Sequence, residues 1–181
     1  MNSFPQAAIM ADRLDLREFA LSDIGLVREV LSARAPEALP PGAPSQEDEL
    51  AEWLSEGVHV LRRDGFGVHF MLLDRARAKI VGAIGLFHAD WEVRSTEIGY
   101  GVRGDERGRG YATEALVAVS RWALSAGGMQ RAWLTANTDN IASVRVAQKA
   151  GFRYEGTLRR AAMEEDGLHD QDVYSLLDVE I

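Results

Sequence analysis

The stretch RGDERGRGYATEAL, residues 103–116, joins two kinds of local structure without a break. Its first half contains three arginines and three glycines, and its second half begins an alanine-rich run with apolar residues at helical spacing. The first N–H groups of a helix lack partners within it and lie at the positive end of its dipole. Glycines let an anion approach such amides closely. The stretch therefore predicts an anion site at the start of a helix.

Other interpretations of this stretch also have to be considered. A dinucleotide-binding loop would need a third glycine where Glu114 stands, and a nucleoside-triphosphate loop would need a Gly-Lys-Ser/Thr that is absent. A plain surface turn, with glycines for backbone geometry and solvated arginines, fits these residues as well as a phosphate loop does. On this stretch alone both interpretations remain open.

Length and hydrophobicity predict one globular domain over residues 1–181. The chain is 46% hydrophobic and 27% charged, a balance that can bury one core. No apolar run approaches the ~20 residues of a membrane span, and the first residues lack the basic start and long apolar stretch of a secretory signal. We therefore expect a cytoplasmic protein without membrane association.

Charge and residue usage exclude several classes of function. The formal net charge of −8 argues against nucleic acid as a partner and modestly favours a cationic partner such as an amine. The chain has no cysteine, which excludes disulfides, a thiolate nucleophile and cysteine-ligated metal. Its four histidines lack the close spacing of a zinc helix. We predict no metal site.

Hydrophobic periodicity predicts strands and helices in mixed order. A strand over residues 14–17 and a helix from about Asp23 come first, and Ser45 and Asp48 have the spacing of a capping box before a second helix. A later helix is expected from the helical spacing of Ala112, Leu116, Val119 and Ala123, and a short one over residues 140–150. The remaining strands are predicted in FGVHFMLLD, KIVGAIGLFHA, TEIGYGV, RAWLTA, FRYEGTLRRAAM and QDVYSLLDVE.

Three blocks in fixed order resemble a known family. They are EIGYGV at 97–102, RGRGYATEAL at 107–116 and NTDNIASVRVAQKAGFRYEG at 137–156. Together they are similar to the GNAT superfamily of acetyl-CoA-dependent N-acetyltransferases, in the branch containing the RimJ/RimL ribosomal-protein N-terminal acetyltransferases. The likeness runs from LDLREFALSD at 14–23 to GLHDQDVYSLL at 167–177. It implies the GNAT (acyl-CoA N-acyltransferase) fold of the α/β (α+β) class, with a mixed, mostly antiparallel central sheet of about seven strands and helices on both faces.

The resemblance also implies acetyl-CoA as cosubstrate and a place for it. Loop amides would hold the CoA pyrophosphate, and the pantetheine arm would lie in a splay between two neighbouring parallel strands. Asp105 stands where the superfamily often has Gln or Arg, so it is not counted as a phosphate ligand. The implied cofactor-binding residues are Val102, Arg107, Gly108, Arg109, Gly110, Tyr111, Ala112, Thr113 and Asn140.

Asn140 and Ser143 allow two interpretations. Asn140 is a good helix N-cap and Ser143 suits the first helical turn, so capping alone would explain both residues. By resemblance, Asn140 lies near the pantetheine and Ser143 near the sulfur, where its hydroxyl could protonate the leaving thiolate. The two roles are compatible.

Glu97 is the candidate general base, which removes the proton from the acceptor amine. If Ile98, Tyr100 and Val102 face the core, strand alternation places Glu97 on the opposite face, beside two glycines that leave room for a ligand. The alternative is an ordinary surface glutamate on a half-exposed strand. The family's frequent use of a strand acid here supports the catalytic interpretation.

Acceptor contacts are predicted on less patterned parts of the chain. His88 and His169 are rival bases, although each fits a packed or surface histidine, and His88 is also assigned to substrate binding. Asp170 matches a recurrent aspartate of the branch and is predicted to line the acceptor site. Trp53 could shape the same site, but its helical spacing also fits the core.

These observations predict an N-acetyltransferase that transfers acetyl from acetyl-CoA to a primary amine by direct attack in a ternary complex. No Ser/His/Asp constellation is visible, and this chemistry requires none. The first choice of acceptor is a protein or peptide N-terminal α-amine. The alternatives are a small-molecule amine of the antibiotic or polyamine kind, or a non-catalytic acyl-CoA-binding module. Either a monomer or a homodimer is compatible with the sequence.

Overall fold

The computed structural model describes residues 2–181. Its helices are α1 (Ile24–Ser32), α2 (Leu50–Ser55), α3 (Val60–Arg63), α4 (Tyr111–Leu124) and α5 (Ile141–Lys149). Its strands are β1 (Ala8–Met10), β2 (Leu14–Arg17), β3 (Val68–Asp74), β4 (Lys79–Asp90), β5 (Ser95–Val102), β6 (Arg131–Asn137), β7 (Arg153–Glu164) and β8 (Gly167–Leu177). No helix in this part of the chain is both long and apolar enough to cross a membrane.

All strands belong to one sheet in the order β1-β2-β3-β4-β5-β6-β8-β7. Neighbouring strands are antiparallel except β5 and β6, which are parallel. The predicted mixed, mostly antiparallel sheet is confirmed, with eight strands in place of about seven. The additional strand is β1, which pairs with β2 over three residues and is too short to show periodicity in the sequence.

Helices cover both faces of the sheet, as predicted. Alternate side chains of β3 point to opposite faces, so Phe70 and Leu72 enter one core while Met71 enters the other. The first core lies beneath α4 and α5 and includes Leu116. The second lies beneath α1 and α2 and includes Leu54. The fold therefore buries strands β3 and β4 on both sides.

The second predicted helix differs from its sequence pattern. A short 3-10 turn, Glu47–Glu49, precedes α2, and neither it nor α2 has a side-chain cap hydrogen bond. The predicted capping box of Ser45 and Asp48 is therefore not formed. The helix also breaks near Gly57, where an added Cβ would lie 2.9 Å from the Trp53 ring.

The two parallel strands separate soon after they pair. β5 and β6 are in register from Ser95 opposite Arg131 to Glu97 opposite Trp133 and are not paired beyond this point. Both strands continue, to Val102 and to Asn137. Because backbone N–H and C=O groups need partners, the separated edges offer hydrogen bonds to a molecule between them. Helix α4 follows β5 and α5 follows β6, so both helices begin near the open end of this V-shaped gap.

Candidate active site

The loop before α4 exposes backbone amides. Gly108 and Gly110 have φ values of 76° and 84°, in the left-handed region that favours glycine. Gly110 is the N-cap residue of α4, and no side chain caps the helix. The N–H groups of the first turn are consequently available to a ligand. This is the geometry of an anion site at a helix N-terminus.

A buried charge network lies beneath this loop. The Glu106 side chain is 2% exposed and accepts hydrogen bonds from Arg77 at 2.9 and 3.0 Å and from Lys79 at 2.7 Å. Arg77 also contacts Asp74, which accepts a hydrogen bond from the Tyr111 hydroxyl at 2.6 Å. The network joins the β3–β4 turn to the loop and to the first residue of α4. It holds the amides in place from below.

The charges in this network shift the pKa values of its two acids. Hydrogen bonds from Arg77 lower the pKa of Glu106 to about 2, with a further contribution from Lys79. The Tyr111 hydroxyl, followed by Arg77, lowers the pKa of Asp74 to about 2. Both carboxylates are therefore ionised at neutral pH, and their charges are matched by Arg77 and Lys79.

Glu114 fixes the start of α4 from the other side. Its carboxylate accepts hydrogen bonds from the backbone N–H groups of Arg13 and Leu14 at 2.6 and 3.0 Å. It also pairs with the Arg13 guanidinium, which donates to the Arg109 carbonyl and lies 4.5 Å from the centre of the Tyr111 ring. Glu114, which stands where a dinucleotide-binding loop would need a glycine, thus anchors α4 to the start of β2.

A cleft of about 500 Å³ runs from the loop into the V-shaped gap. Three of its lining residues are cations that form no ion pair within residues 2–181: Arg107 on the loop, and Arg145 and Lys149 one turn apart on α5. We call this the cofactor cleft, after the cofactor-binding residues predicted along it. It is locally positive in a chain whose net charge is −8. Such a surface is suited to a polyanionic ligand.

Asn140 and Ser143 lie on the opposite wall of the cofactor cleft. The Asn140 side-chain oxygen accepts a hydrogen bond from the Ser143 backbone N–H at 3.1 Å, so the predicted N-cap is confirmed. The Ser143 hydroxyl is not used by this cap. Ser143 lines the cleft beside the N-terminal turn of α5.

A second cleft of about 450 Å³ adjoins the first. The two share Glu37, Tyr100 and Gly101 as lining residues. An added Cβ at Gly101 would collide with the Glu37 carbonyl, so glycine is required for the loop to pass close to β5. Glu97 lines the second cleft, which we call the acceptor cleft, at the point where β5 and β6 separate.

Glu97 and His88 meet in the acceptor cleft. His88 Nδ1 lies 2.7 Å from Glu97 Oε2, and the Glu97 side chain is 21% exposed. A β-bulge after Phe87 gives His88 a φ of 49° and shifts the register against β5. The buried Thr96 hydroxyl donates to the Phe87 carbonyl at 2.9 Å and stabilises this bulge. Bulges commonly redirect side chains at active sites, and here the bulge brings His88 to Glu97.

His69 lies deeper in the acceptor cleft, with its ring 5.2 Å from the Phe87 ring. Burial, and to a smaller extent the nearby His59, lower the pKa of His69 to about 4. The imidazole is therefore neutral at pH 7 and is a weaker base than an ordinary histidine. It acts as a wall of the cleft.

The structure brings most of the predicted site residues together. Along the cofactor cleft lie Val102, Arg107, Gly108, Gly110, Tyr111, Ala112, Thr113, Asn140 and Ser143, while His88 and Glu97 line the acceptor cleft. The Arg109 side chain lies outside both linings and points to Glu106 at 3.3 Å. Tyr100 does not follow the expected core alternation fully, because it is only partly buried and lines both clefts.

Two predicted acceptor residues lie elsewhere. Trp53 packs in the second core, with its ring 5.6 Å from Phe19, and lines neither cleft. The Asp170 carboxylate accepts a hydrogen bond from the Arg160 backbone N–H at 2.7 Å within the β7–β8 hairpin. The rival base His169 pairs with Asp166 at 2.7 Å, also away from both clefts. The structure does not bring these residues to Glu97.

Several residues of the site were not identified from the sequence. The sequence did contain a pattern that could have identified Arg145 and Lys149 as part of a basic surface. They are four residues apart on a helix without an acidic residue. No sequence pattern identifies Glu37 or Tyr100 as site residues, since their positions depend on how a loop and a strand meet. Glu106 and Arg77 are far apart in sequence, and only the fold makes them partners.

Comparison with known proteins identifies the family of this chain. Residues 13–153 match the family model described as an acetyltransferase (GNAT) domain. The uncharacterised N-acetyltransferase YoaA of Bacillus subtilis is 32% identical over 111 residues, which span 61% of this chain and 63% of that protein. The ribosomal-protein-serine acetyltransferase of Escherichia coli is 26% identical over 130 residues, or 72% of each chain. RimJ of Mycobacterium smegmatis, solved in complex with CoA-disulfide, superposes with a TM-score of 0.81 at 22% identity, over 100% of this chain and 92% of that one.

The fold and the paired clefts thus define an acyl-CoA-dependent acyltransferase. The chain belongs to the GNAT family of acetyltransferases. It is an N-acetyltransferase whose cosubstrate is acetyl-CoA.

Protonation of the Glu106 carboxylate should contribute to the loss of stability in acid. Because the pKa of this carboxyl is lowered from 4.5 to about 2 on folding, its contribution to stability is complete above pH 4.5 and is lost as pH falls toward about 2. In Glu106→Gln that contribution is absent at every pH. Urea unfolding of both proteins at several pH values should show the variant less stable at pH 6, with the difference shrinking as pH falls. A constant difference across this range would contradict the assigned ionic role.

Proposed function

We propose that this protein acetylates the free α-amino group of a protein or peptide by direct transfer from acetyl-CoA. The observation that carries the proposal is the junction of the two clefts at Tyr100 and Gly101, with Glu97 and His88 on the acceptor side and the amide-rich loop on the other. A thioester carbonyl at this junction would be open to an amine from the acceptor cleft. No covalent enzyme intermediate is then needed.

The loop amides between Arg107 and Thr113 would hold the CoA pyrophosphate. The positive end of the α4 dipole favours an anion here, and so does Arg107, which donates to the Val102 carbonyl but forms no ion pair within residues 2–181. Arg145 and Lys149 would add charge for the remaining phosphate. The pantetheine arm would lie between β5 and β6, where its amides can bond with the separated strand edges. Asn140 would lie beside this arm, with Ser143 next to the sulfur.

Glu97 would take the proton from the attacking amine. Its carboxylate lines the acceptor cleft and accepts from His88, which fixes its orientation when that nitrogen carries the proton. His88 is highly exposed and can pass a proton on to solvent. We assign Glu97 as the general base, directly or through one water, and His88 as its partner.

The acceptor cleft favours a peptide terminus over a polycation. Its walls are largely apolar and include Leu39, Pro40, Ile84 and Phe87. One acidic group, Glu97, stands at the reaction end, whereas a polyamine would need further anions along its length. The other carboxylate of the lining, Glu37, already accepts a hydrogen bond from the Gly104 backbone N–H at 2.9 Å. The likeness to a ribosomal-protein-serine acetyltransferase supports the same acceptor class.

A panel of amines should test the acceptor class. We expect thiol release from acetyl-CoA with short peptides that begin with a free Ser or Ala, and mass spectrometry should place the acetyl group on the α-nitrogen. The same peptides with a blocked N-terminus and an internal lysine are the matched control and should be inert. Turnover of spermidine or an aminoglycoside with none of the peptides would replace this proposal by the small-molecule alternative.

Gly110→Glu should abolish CoA binding. The carboxylate would place negative charge and bulk where the pyrophosphate is expected. For the wild type, CoA at ~100 times its dissociation constant should add about 2.7 kcal/mol to the free energy of unfolding. This corresponds to a melting-temperature increase of roughly 5–11 °C for a chain of this size. Thermal unfolding with and without CoA measures it.

Gly110→Ala is the control for this variant. The φ of 84° strains any side chain, and an added Cβ would lie 3.5 Å from the Arg13 guanidinium, an ordinary contact. Both variants therefore carry the same backbone strain, but only the glutamate adds a negative charge that repels the pyrophosphate. A CoA-induced shift in Gly110→Glu as large as that of the wild type would remove this loop from the cofactor site.

Glu97→Gln should lower kcat/KM by about 10²-fold or more near neutral pH. The amide keeps the size of the side chain but cannot accept the amine's proton. An α-amine with a pKa near 8 is only partly deprotonated at pH 7, so the defect should shrink as pH rises through that pKa. Initial rates of thiol release between pH 6 and about pH 9.5 measure this.

Glu92→Gln serves as the matched control, because Glu92 is an exposed glutamate in the turn between β4 and β5 and lines neither cleft. It should retain the wild-type rate at every pH, and CoA binding should be normal in both variants. If Glu97→Gln had the wild-type rate at pH 7, the base assignment would pass to His88.

A further inference from the structure

His69 is a nearly buried histidine whose ring makes no hydrogen bond. The residue is 7% exposed and lines the acceptor cleft. The rings of His59, His88 and His169 each have a hydrogen-bond partner, whereas within residues 2–181 the His69 ring has none. Buried polar groups are almost always hydrogen-bonded to protein, water or a ligand. The position of His69 in a cleft therefore points to a partner that enters the cleft.

The nitrogens of His69 can be reached from the acceptor cleft. Within the described residues, the fully enclosed polar side-chain atoms that lack a partner are Glu18 Oε1 and the Tyr100 hydroxyl, and the imidazole nitrogens are not among them. A Cβ added at Gly85 would lie 2.8 Å from His69 Nδ1. Gly85 lines the same cleft, and the lack of a side chain there lets the imidazole pack on the strand backbone.

The Phe87 ring forms the floor of the acceptor cleft between two polar groups. Its atoms lie 2.9 Å from a Cβ added at Gly85 and 3.1 Å from one added at Gly99, so the ring covers both glycines. Its backbone is paired with that of Glu97, and its ring centre lies 5.2 Å from the ring centre of His69. An aromatic surface thus has a carboxylate beside one part of it and an imidazole beside the other.

Strand register sets the spacing of these two polar groups. His69 is paired with Gly85 of β4, which is paired in turn with Gly99 of β5, two residues beyond Glu97. Two strand spacings and two residues along a strand place the Cα atoms of His69 and Glu97 about 12 Å apart. Consecutive Cα atoms of a peptide are about 3.8 Å apart. A peptide with its α-amine at Glu97 therefore brings its first or second side chain to the imidazole.

A hydroxyl is the side-chain group that best fits His69. Burial keeps the imidazole neutral at pH 7, so one nitrogen donates and the other accepts, and a hydroxyl can pair with either. A carboxylate would meet no arginine or lysine in the lining of the cleft. A second ammonium would meet Glu37, whose carboxylate already accepts from the Gly104 backbone N–H. An apolar side chain would displace water and leave the imidazole without a partner.

We propose that His69 is a specificity-determining residue that hydrogen-bonds a hydroxyl side chain, such as serine, within the first two residues of the acceptor. The inference rests on the proposed acetylation of peptide α-amines and deepens it by naming the side chain that the cleft selects. The imidazole takes no part in proton transfer. It should therefore change which peptide is acetylated, and leave the rate with an alanine peptide nearly unaltered.

Three peptides that differ only at their first two residues test the proposal. They begin with Ser-Ala, Ala-Ser and Ala-Ala, and initial rates of thiol release give kcat/KM for each. His69→Leu removes both ring nitrogens and keeps a similar volume. His169→Leu is the matched control, because His169 pairs with Asp166 away from both clefts. Comparing the same peptides in wild type and variant cancels differences in the reactivity of their amines.

We expect one of the serine peptides to be preferred over Ala-Ala by the wild type, and His69→Leu to reduce that preference about tenfold or more. The loss should fall on the serine peptide, and His169→Leu should keep the full preference. The same preference in wild type and His69→Leu would overturn the role of His69 and leave the proposed function intact. An equal loss with all three peptides would overturn it as well, since a backbone contact or a purely structural role would act in that way.

Nitrogen NMR of the histidine rings gives a readout that needs neither turnover nor a variant beyond one for assignment. In the complex with CoA, the preferred serine peptide should shift the His69 ring nitrogens, while the Ala-Ala peptide should leave them near their positions in the peptide-free complex. Unchanged His69 signals with bound serine peptide would overturn the inference. A wild type that acetylates none of the peptides would refute the proposed acceptor, and this inference with it.

Discussion

The separation of β5 from β6 after Glu97 and Trp133 is the constraint on which the site depends. Two parallel strands that part in mid-sheet leave N–H and C=O groups without partners, which is costly unless a ligand or solvent supplies them. The sheet tolerates the gap because β5 is held along its other edge by β4 and β6 by β8. The same divergence directs the following loops apart, so α4 and α5 begin on the two sides of the gap. A cofactor between them can meet both N-termini.

The local charge of the cofactor cleft is opposite in sign to the net charge of the whole chain. The chain is acidic, yet the cofactor cleft carries three cations without ion pairs. The acids nearest the loop are already neutralised, Glu106 by Arg77 and Lys79, and Glu114 by Arg13. Paired acids of this kind repel a polyphosphate little, since their charge is matched within the network. In the proposed function the acceptor cleft has its acid, Glu97, near the reaction centre, where it would attract an amine. Two surfaces of opposite character thus meet at one strand.

The sequence predicted the parts of the site that are local in the chain. The loop before α4, the Asn140 cap and the position of Glu97 on its strand each follow from spacing within ten residues or fewer, and the structure places all three at the clefts. The parts it could not predict depend on pairing between distant segments. The bulge that turns His88 toward Glu97 is held by Thr96 of the neighbouring strand. The helical spacing of Trp53 favoured the core over the acceptor site, and its packing against Phe19 confirms the core position.

The arrangement also explains why so few groups can perform acyl transfer. An amine in the acceptor cleft and a thioester in the cofactor cleft would approach each other across Tyr100 and Gly101, which line both clefts. Much of the barrier to a reaction between two bound molecules is the entropy of bringing them together, and a fixed junction supplies that part. In the proposed function the amine's proton leaves toward Glu97 on one side, while Ser143 stands on the other side, beside the expected position of the sulfur. Glu97 on β5 and Ser143 on α5 line different clefts, so a base and a proton donor at these two positions would not neutralise each other before the reaction.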